Sequence, residues 1–144
     1  MTTDPTSDPE CIFCKILAGE IPSFKIHEDD RTLAFMDINP LHAGHSLVIP
    51  KGHFENIYSA PDDVLADMIA ATRRLATAVN TALAPDGVNI IQANGPGAAQ
   101  SVFHIHFHVV PRKTGDNAKI NWGLSPGDMD EIAAVAEKIR EAWA

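Results

Sequence analysis

The sequence predicts an α+β domain resting on an antiparallel sheet of about five strands. Three observations carry that reading: alternating apolar segments gathered before Lys51, one long helical stripe after Pro61, and a further pair of strand-like segments beyond it. The chain has neither a Rossmann nor a P-loop motif, and its elements do not repeat as βαβ units, so a doubly wound nucleotide fold is not expected.

Taken in order, residues 1–9 are polar, hold two prolines and lack periodicity, which predicts a flexible tail with order beginning at Glu10. "CIFCKILAGE" spaces Ile12, Phe13, Ile16 and Leu17 helically and ends at Gly19, a residue suited to the position just past a short helix. "FKIHE" and "TLAFMDI" alternate on either side of Asp29-Asp30 as an antiparallel hairpin would, and "HSLVIP" reads as a third strand. In "DDVLADMIAATRRLATAVNTALA" the residues Leu65, Met68, Ile69, Thr72, Leu75, Val79 and Leu83 form one stripe, with acidic residues in the first turn. This is the long helix. "GVNIIQA" follows as a strand, "NGPGAAQ" as a Gly-rich loop, and "SVFHIHFHVV" as a strand that Pro111 is expected to stop. Asp128 stands three residues before Glu131, a capping-box-like start for a C-terminal helix carrying Ile132, Val135, Ile139 and Trp143.

The chain has 144 residues, 45% of them hydrophobic, enough for one core, so residues 10–144 are expected to form a single domain. Its formal net charge of -8 argues against nucleic acid and anionic membrane as partners, because both require a basic face. No apolar run reaches the roughly 20 residues that span a bilayer, and the first ten residues lack a basic n-region and an apolar h-region. A cytoplasmic location is expected. The two cysteines, Cys11 and Cys14, are spaced as a metal or redox pair in a reducing compartment, and not as a staple closing a long loop.

Within "GPGAAQSVFHIHFHVVPR", His104, His106 and His108 fall at every second position. On a strand they share one face, leaving Phe103, Ile105, Phe107 and Val109 for the core. Positions 104 and 108 would lie about 13 Å apart at roughly 3.3 Å per residue, too far for one ion with bonds of about 2 Å to take all three without distortion. Different tasks for the three histidines follow.

The run His104-Ile105-His106-Phe107-His108-Val109-Val110 resembles the signature of the histidine triad (HIT) family. "CIFCKILAGEIPSFKIHEDD", "AFMDINPLHAGHSLVIPKGH" and "QSVFHIHFHVVPR" are similar, in that order, to segments of its Hint-like branch of nucleotide phosphoramidate hydrolases, and the likeness fades after residue 112. The resemblance implies a HIT-like sheet and a homodimer whose sheets join. It also implies a purine nucleotide substrate cleaved at the α-phosphate through a covalent nucleotidyl intermediate on His106, with His108 contacting the phosphoryl oxygens. Around base and ribose it places Phe13, Ile16, Phe35, Met36, Asp37 and Ile38, with Asp37 accepting from the sugar hydroxyls. His45 is given a supporting role and Asn94 a place near phosphate and ribose. From the residues themselves, Gln100 and Ser101 are expected to add hydrogen bonds, and the Gly-rich loop to offer backbone N–H groups to an anion. The resemblance further implies a structural zinc on Cys11, Cys14, His53 and His104, and no organic cofactor. A dinucleoside polyphosphate hydrolase and a nucleotide-binding regulatory module are the rival readings.

Overall fold

The computed structural model describes residues 6–143. It contains helix α1 (Ile12–Leu17), strands β1 (Lys25–Glu28), β2 (Thr32–Met36) and β3 (Ser46–Pro50), helix α2 (Asp62–Leu83), strands β4 (Gly87–Gln92) and β5 (Phe107–Arg112), and helix α3 (Met129–Ala142). The five strands form one antiparallel sheet in the order β1-β2-β3-β5-β4, so the last strand in sequence is inserted between β3 and β4. That insertion brings the histidine segment beside β3, with Leu47 paired to His108.

Both faces of the sheet are covered, which is why β2 and β3 are almost continuously apolar. Leu33, Phe35, Leu47 and Ile49 pack on Phe13 and Ile16 of α1, while Ala34, Val48 and Val109 pack on Leu75 and Val79 of α2. The helical stripe of α2 thus meets one face, and the two-residue strand period sorts its neighbours between the two sides. At α1 the chain leaves the helix through Gly19 at φ +79°, as its position in the sequence suggested. Asp128 caps α3 by accepting from the Glu131 N–H at 2.9 Å. No residue of α3 is buried.

The final strand differs from expectation. It starts at Phe107, not at Ser101, and it runs through Pro111 to Arg112. Asp86 N–H donates to the Arg112 carbonyl, so Arg112 faces β4 and Pro111, one residue back, faces β3. There pairing has already ended at Ser46 with Val109, so the N–H that proline lacks has no ladder bond to make. Residues 101–106 leave the ladder for other partners: Ile105 N–H donates to the Phe54 carbonyl at 2.7 Å. Phe103 is consequently exposed, while Ile105 and Val109 are fully buried as the alternation required.

Within the stretch 1–9, Thr6 is hydrogen-bonded to His53. His53 N–H donates to the Thr6 carbonyl at 2.8 Å, and the Thr6 hydroxyl donates to the His53 carbonyl at 2.7 Å. Residues 1–5 lie outside the described part of the chain.

Candidate active site

A cleft of about 330 Å³ opens on the α1 side of the sheet, floored by Phe35, Leu47, His106 and His108. Of the residues expected to bind a nucleotide, Phe13, Ile16, Phe35, Met36, Asp37, Ile38, His45, Ser101 and His108 all line it. Ile38 sits at the rim, 73% exposed. The lining also includes Ile12, Ile21, Pro22, Ser23, Asn39, Leu47 and Val102, which the sequence reading missed. Ile12 and Leu47 carried a period signal, but the Ile21–Ser23 turn had none to show that it folds over the cleft.

Asn94 and Gln100 are not in the lining. Asn94 accepts from the Ile57 N–H at 2.8 Å and exchanges amide hydrogen bonds with Gln92. Gln100 accepts from the Gly95 N–H and donates to the carbonyls of Glu55 and Val102. Both amides brace the loop from behind. Within it, Ala98, Ala99 and Gln100 also turn their N–H groups onto the Gly95 and Pro96 carbonyls, so these donors close the turn and do not face an anion. Ser101 is the residue by which this loop reaches the cleft.

Hydrogen bonding assigns the histidine protons. His106 Nδ1 lies 2.8 Å from the His104 carbonyl, which can only accept, so Nδ1 carries the proton and Nε2 keeps its lone pair. Leu41 N–H donates to His45 Nδ1 at 2.9 Å, so His45 Nε2 carries a proton; it meets His108 Nδ1 at 2.8 Å and lies 3.4 Å from Asp37 Oδ2. His108 must then hold its own proton on Nε2. His104 Nε2 lies 3.1 Å from the Pro50 carbonyl, which leaves His104 Nδ1 bare.

Burial keeps these rings neutral. It pushes His108 down to about 4, helped by the neighbouring His106 and His45, and it pushes His106 and His45 below the usual imidazole range. Asp37 opposes the shift at His106. The Phe13 ring stands edge-on to His106, Phe35 and His104 with centroids 5.2, 5.5 and 5.8 Å away, fixing the plane of the His106 ring.

Behind this cleft Cys11, Cys14, His53 and His104 form a cluster able to hold a metal ion. A tetrahedral ion with bonds of about 2.05 Å to nitrogen and 2.3 Å to sulfur has N···N edges of about 3.3 Å and N···S edges of about 3.6 Å. His53 Nδ1 and His104 Nδ1 are 3.3 Å apart, and their distances to the two sulfurs include 3.4, 3.5 and 3.6 Å. The donor set fits. A second group, Asp37, His45 and His108, is comparably tight but chemically different, because the Leu41 N–H occupies His45 Nδ1 and forces a proton onto the nitrogen that would bind. That group is a proton line and not a metal cage.

The HIT domain family model matches residues 18–115, and the chain belongs to the HIT family. It is 38% identical over 143 residues to the adenosine 5'-monophosphoramidase of Candida albicans, covering 96% of this chain and 94% of that one. Among solved structures, a HIT family member from Bacillus subtilis superposes with a TM-score of 0.85 at 39% identity, covering 94% of this chain and 98% of that one. A zinc-bound histidine triad family protein from Mycobacterium smegmatis superposes with a TM-score of 0.72 at 39% identity, over 93% and 98% of the two chains.

Proposed function

We propose that this chain is a nucleotide hydrolase that cleaves the bond between the α-phosphate of an AMP-type purine nucleotide and an amine. The observation that carries the reading is the His106 ring, whose Nδ1–H is held by the His104 carbonyl while Nε2 is left unprotonated on a residue lining the cleft. A buried neutral imidazole is a competent nucleophile at pH 7 without a separate strong base. The similarity to an adenosine 5'-monophosphoramidase supports the substrate class.

In this reading the base and ribose lie against Phe13, Ile16 and Phe35, and Asp37 Oδ1, which also accepts from the Asn39 N–H at 2.8 Å, faces the ribose hydroxyls. His106 Nε2 attacks phosphorus, the P–N bond breaks, and the departing nitrogen takes a proton from the solvent side of the cleft. His108 Nε2–H and Ser101 donate to the phosphoryl oxygens, whose charge the acidic chain otherwise leaves without a cation at hand. Water then attacks the nucleotidyl-His106 phosphorus, gives its hydroxyl to AMP, releases a proton and restores neutral His106.

Zinc on Cys11, Cys14, His53 and His104 completes the proposal. Burial pushes the Cys11 thiol up, and a divalent cation supplies the charge that favours thiolates there. When bound, the metal supplies structure; the reaction is carried by His106. Because the chain segment that binds at His104 also presents the carbonyl on His106 Nδ1, the cluster and the nucleophile share one support.

A cytoplasmic homodimer completes the reading. Two metal-ligating thiols suit a reducing compartment, and among the described residues no helix is long and apolar enough to cross a membrane. The outer strand β4 ends the sheet with Ile90 exposed, an edge that a second copy can continue.

The test is adenosine 5'-phosphoramidate offered to wild type and His106→Ala, with an alkaline denaturing quench, which spares an acid-labile P–N adduct, and peptide mass mapping at basic pH. The wild type should turn over and carry one adenylyl group on the His106 peptide; the variant should lose on the order of 10³-fold or more in kcat. Equal slow release of AMP by both proteins would show the nucleophile to be wrongly assigned. A diadenosine polyphosphate run in parallel tests the rival: faster release of AMP from it than from the phosphoramidate would favour that substrate.

A further inference from the structure

We propose that the segment Thr6–Asp8 is a clasp over the Cys11/Cys14/His53/His104 cluster and sets the rate at which its metal exchanges. The proposal rests on the zinc reading above and goes beyond it by assigning a function to residues outside the ligand set.

The segment touches three of the four ligands. Thr6 holds both backbone groups of His53, accepting from its N–H at 2.8 Å and donating its hydroxyl to its carbonyl at 2.7 Å. Asp8 accepts the Cys11 N–H on its carbonyl at 3.1 Å and donates its own N–H to Cys14 Sγ at 3.4 Å. Its carboxylate Oδ2 stands 3.9 Å from His53 Nε2, on the side of the ring away from the cluster, where a carboxylate fixes a metal-binding imidazole by charge. Asp8 Oδ1 meanwhile accepts from the Glu10 N–H at 2.9 Å, which holds the turn leading into α1.

The two sulfurs are served from different places. Cys11 Sγ receives the Cys14 N–H at 3.4 Å, a bond made within α1's first turn. The N–H on Cys14 Sγ comes instead from Asp8, a residue ahead of the helix. Loss of that donor leaves the Cys14 sulfur without its outer contact and uncovers it to an exchanging chelator. His53 is also the ligand with the greatest exposure, whereas His104 is fully buried, so departure of the metal begins at the His53 and Cys14 side that Thr6 and Asp8 cover.

The experiment follows release of Zn²⁺ from the zinc-loaded full-length chain to excess 4-(2-pyridylazo)resorcinol by absorbance, alongside the urea midpoint of each protein. Deletion of residues 2–8 should speed release about tenfold or more, within the range set by loss of outer contacts to metal ligands. Deletion of residues 2–5, which spares Thr6, should leave the rate unchanged. The double variant Thr6→Val, Asp8→Asn keeps the chain length and the oxygen that serves Glu10; it should speed release several-fold with an unchanged urea midpoint. Release at the wild-type rate from the longer deletion, equal acceleration by both deletions, or acceleration that tracks a fall in the urea midpoint would each overturn the clasp. A wild-type chain that retains no zinc through gel filtration would instead overturn the zinc reading itself.

Discussion

Leu41 N–H, His45 and His108 form a line in which one backbone donor decides where two side-chain protons sit. His45→Ala removes that line while leaving His106 on its carbonyl, so kcat should fall about 10- to 100-fold with little change in KM, as steady-state kinetics would reveal. A large rise in KM with kcat intact would mean that His45 serves binding only. The pH response follows from burial. His108 is held to about 4 against an ordinary value of 6.5, so it remains neutral in the folded chain well below the pH at which a free imidazole charges. Activity should therefore hold from pH 8 to about 5.5 and decline towards about 4, later than the fall below about pH 6 that an unperturbed histidine gives. The same shift carries a stability cost. Between pH 6.5 and 4 the unfolded chain binds the proton that folded His108 refuses, so urea midpoints should drop as pH falls through that window. That His106, His108, His45 and Asp37 would share one cleft was expected from the triad and from the resemblance of "MDINP...GH" to the HIT family, and all four line it. Their hydrogen-bond partners were not legible, because backbone carbonyls and N–H groups carry no residue label.

Strand β5 shows how an element can be recognised and still be misplaced. The alternation of "VFHIHFHVV" was read as one strand, but the chain bends at Val102–His104 and pairing begins only at Phe107, since Ile105 bonds to Phe54 and the His104 carbonyl serves the His106 ring. Departure from the ladder is what puts His104 beside the cysteines while His108 reaches His45, a division that a straight strand does not provide. The loop before β3 is equally dependent on contact. Gly44 stands at φ +97°, and a Cβ there would meet Leu83 Cδ1 at 2.3 Å and Pro111 Cγ at 3.1 Å, whereas one at Gly19, φ +79°, would meet nothing within 4 Å. Gly19→Ala should thus cost about 1 kcal/mol from backbone strain alone. Gly44→Ala should cost about 2 to 3 kcal/mol in urea unfolding and should also displace His45, lowering kcat. Equal costs at the two sites would show that Leu83 swings away freely.

In the molecule as a whole, β4 and α3 each leave apolar groups outside: Ile90 on the strand and Ile132, Val135 and Ile139 on the helix are exposed. If β4 continues into a second copy, Ile90→Lys should halve the mass measured by light scattering while far-UV circular dichroism stays unchanged. An unaltered mass would put the contact elsewhere or show a monomer from the outset. The sequence alone determined the α+β class, the long helix, the triad, the cleft-lining Phe13, Phe35 and Asp37, and the cysteine pair with its two histidine candidates. The class, the helix, the triad and the cysteine pair are written in period, spacing and residue type within short windows of chain, whereas the cleft residues and the two histidine candidates came from the resemblance to the HIT family. Tertiary structure alone decided that Asn94 and Gln100 brace a loop, that the Ile21–Ser23 turn walls the cleft, and that Thr6 and Asp8 close over His53 and Cys14. Apart from the turn, those are pairings of polar atoms across up to 47 residues of chain, and nothing in local composition specifies which carbonyl, N–H or sulfur a folded backbone will bring within hydrogen-bonding distance.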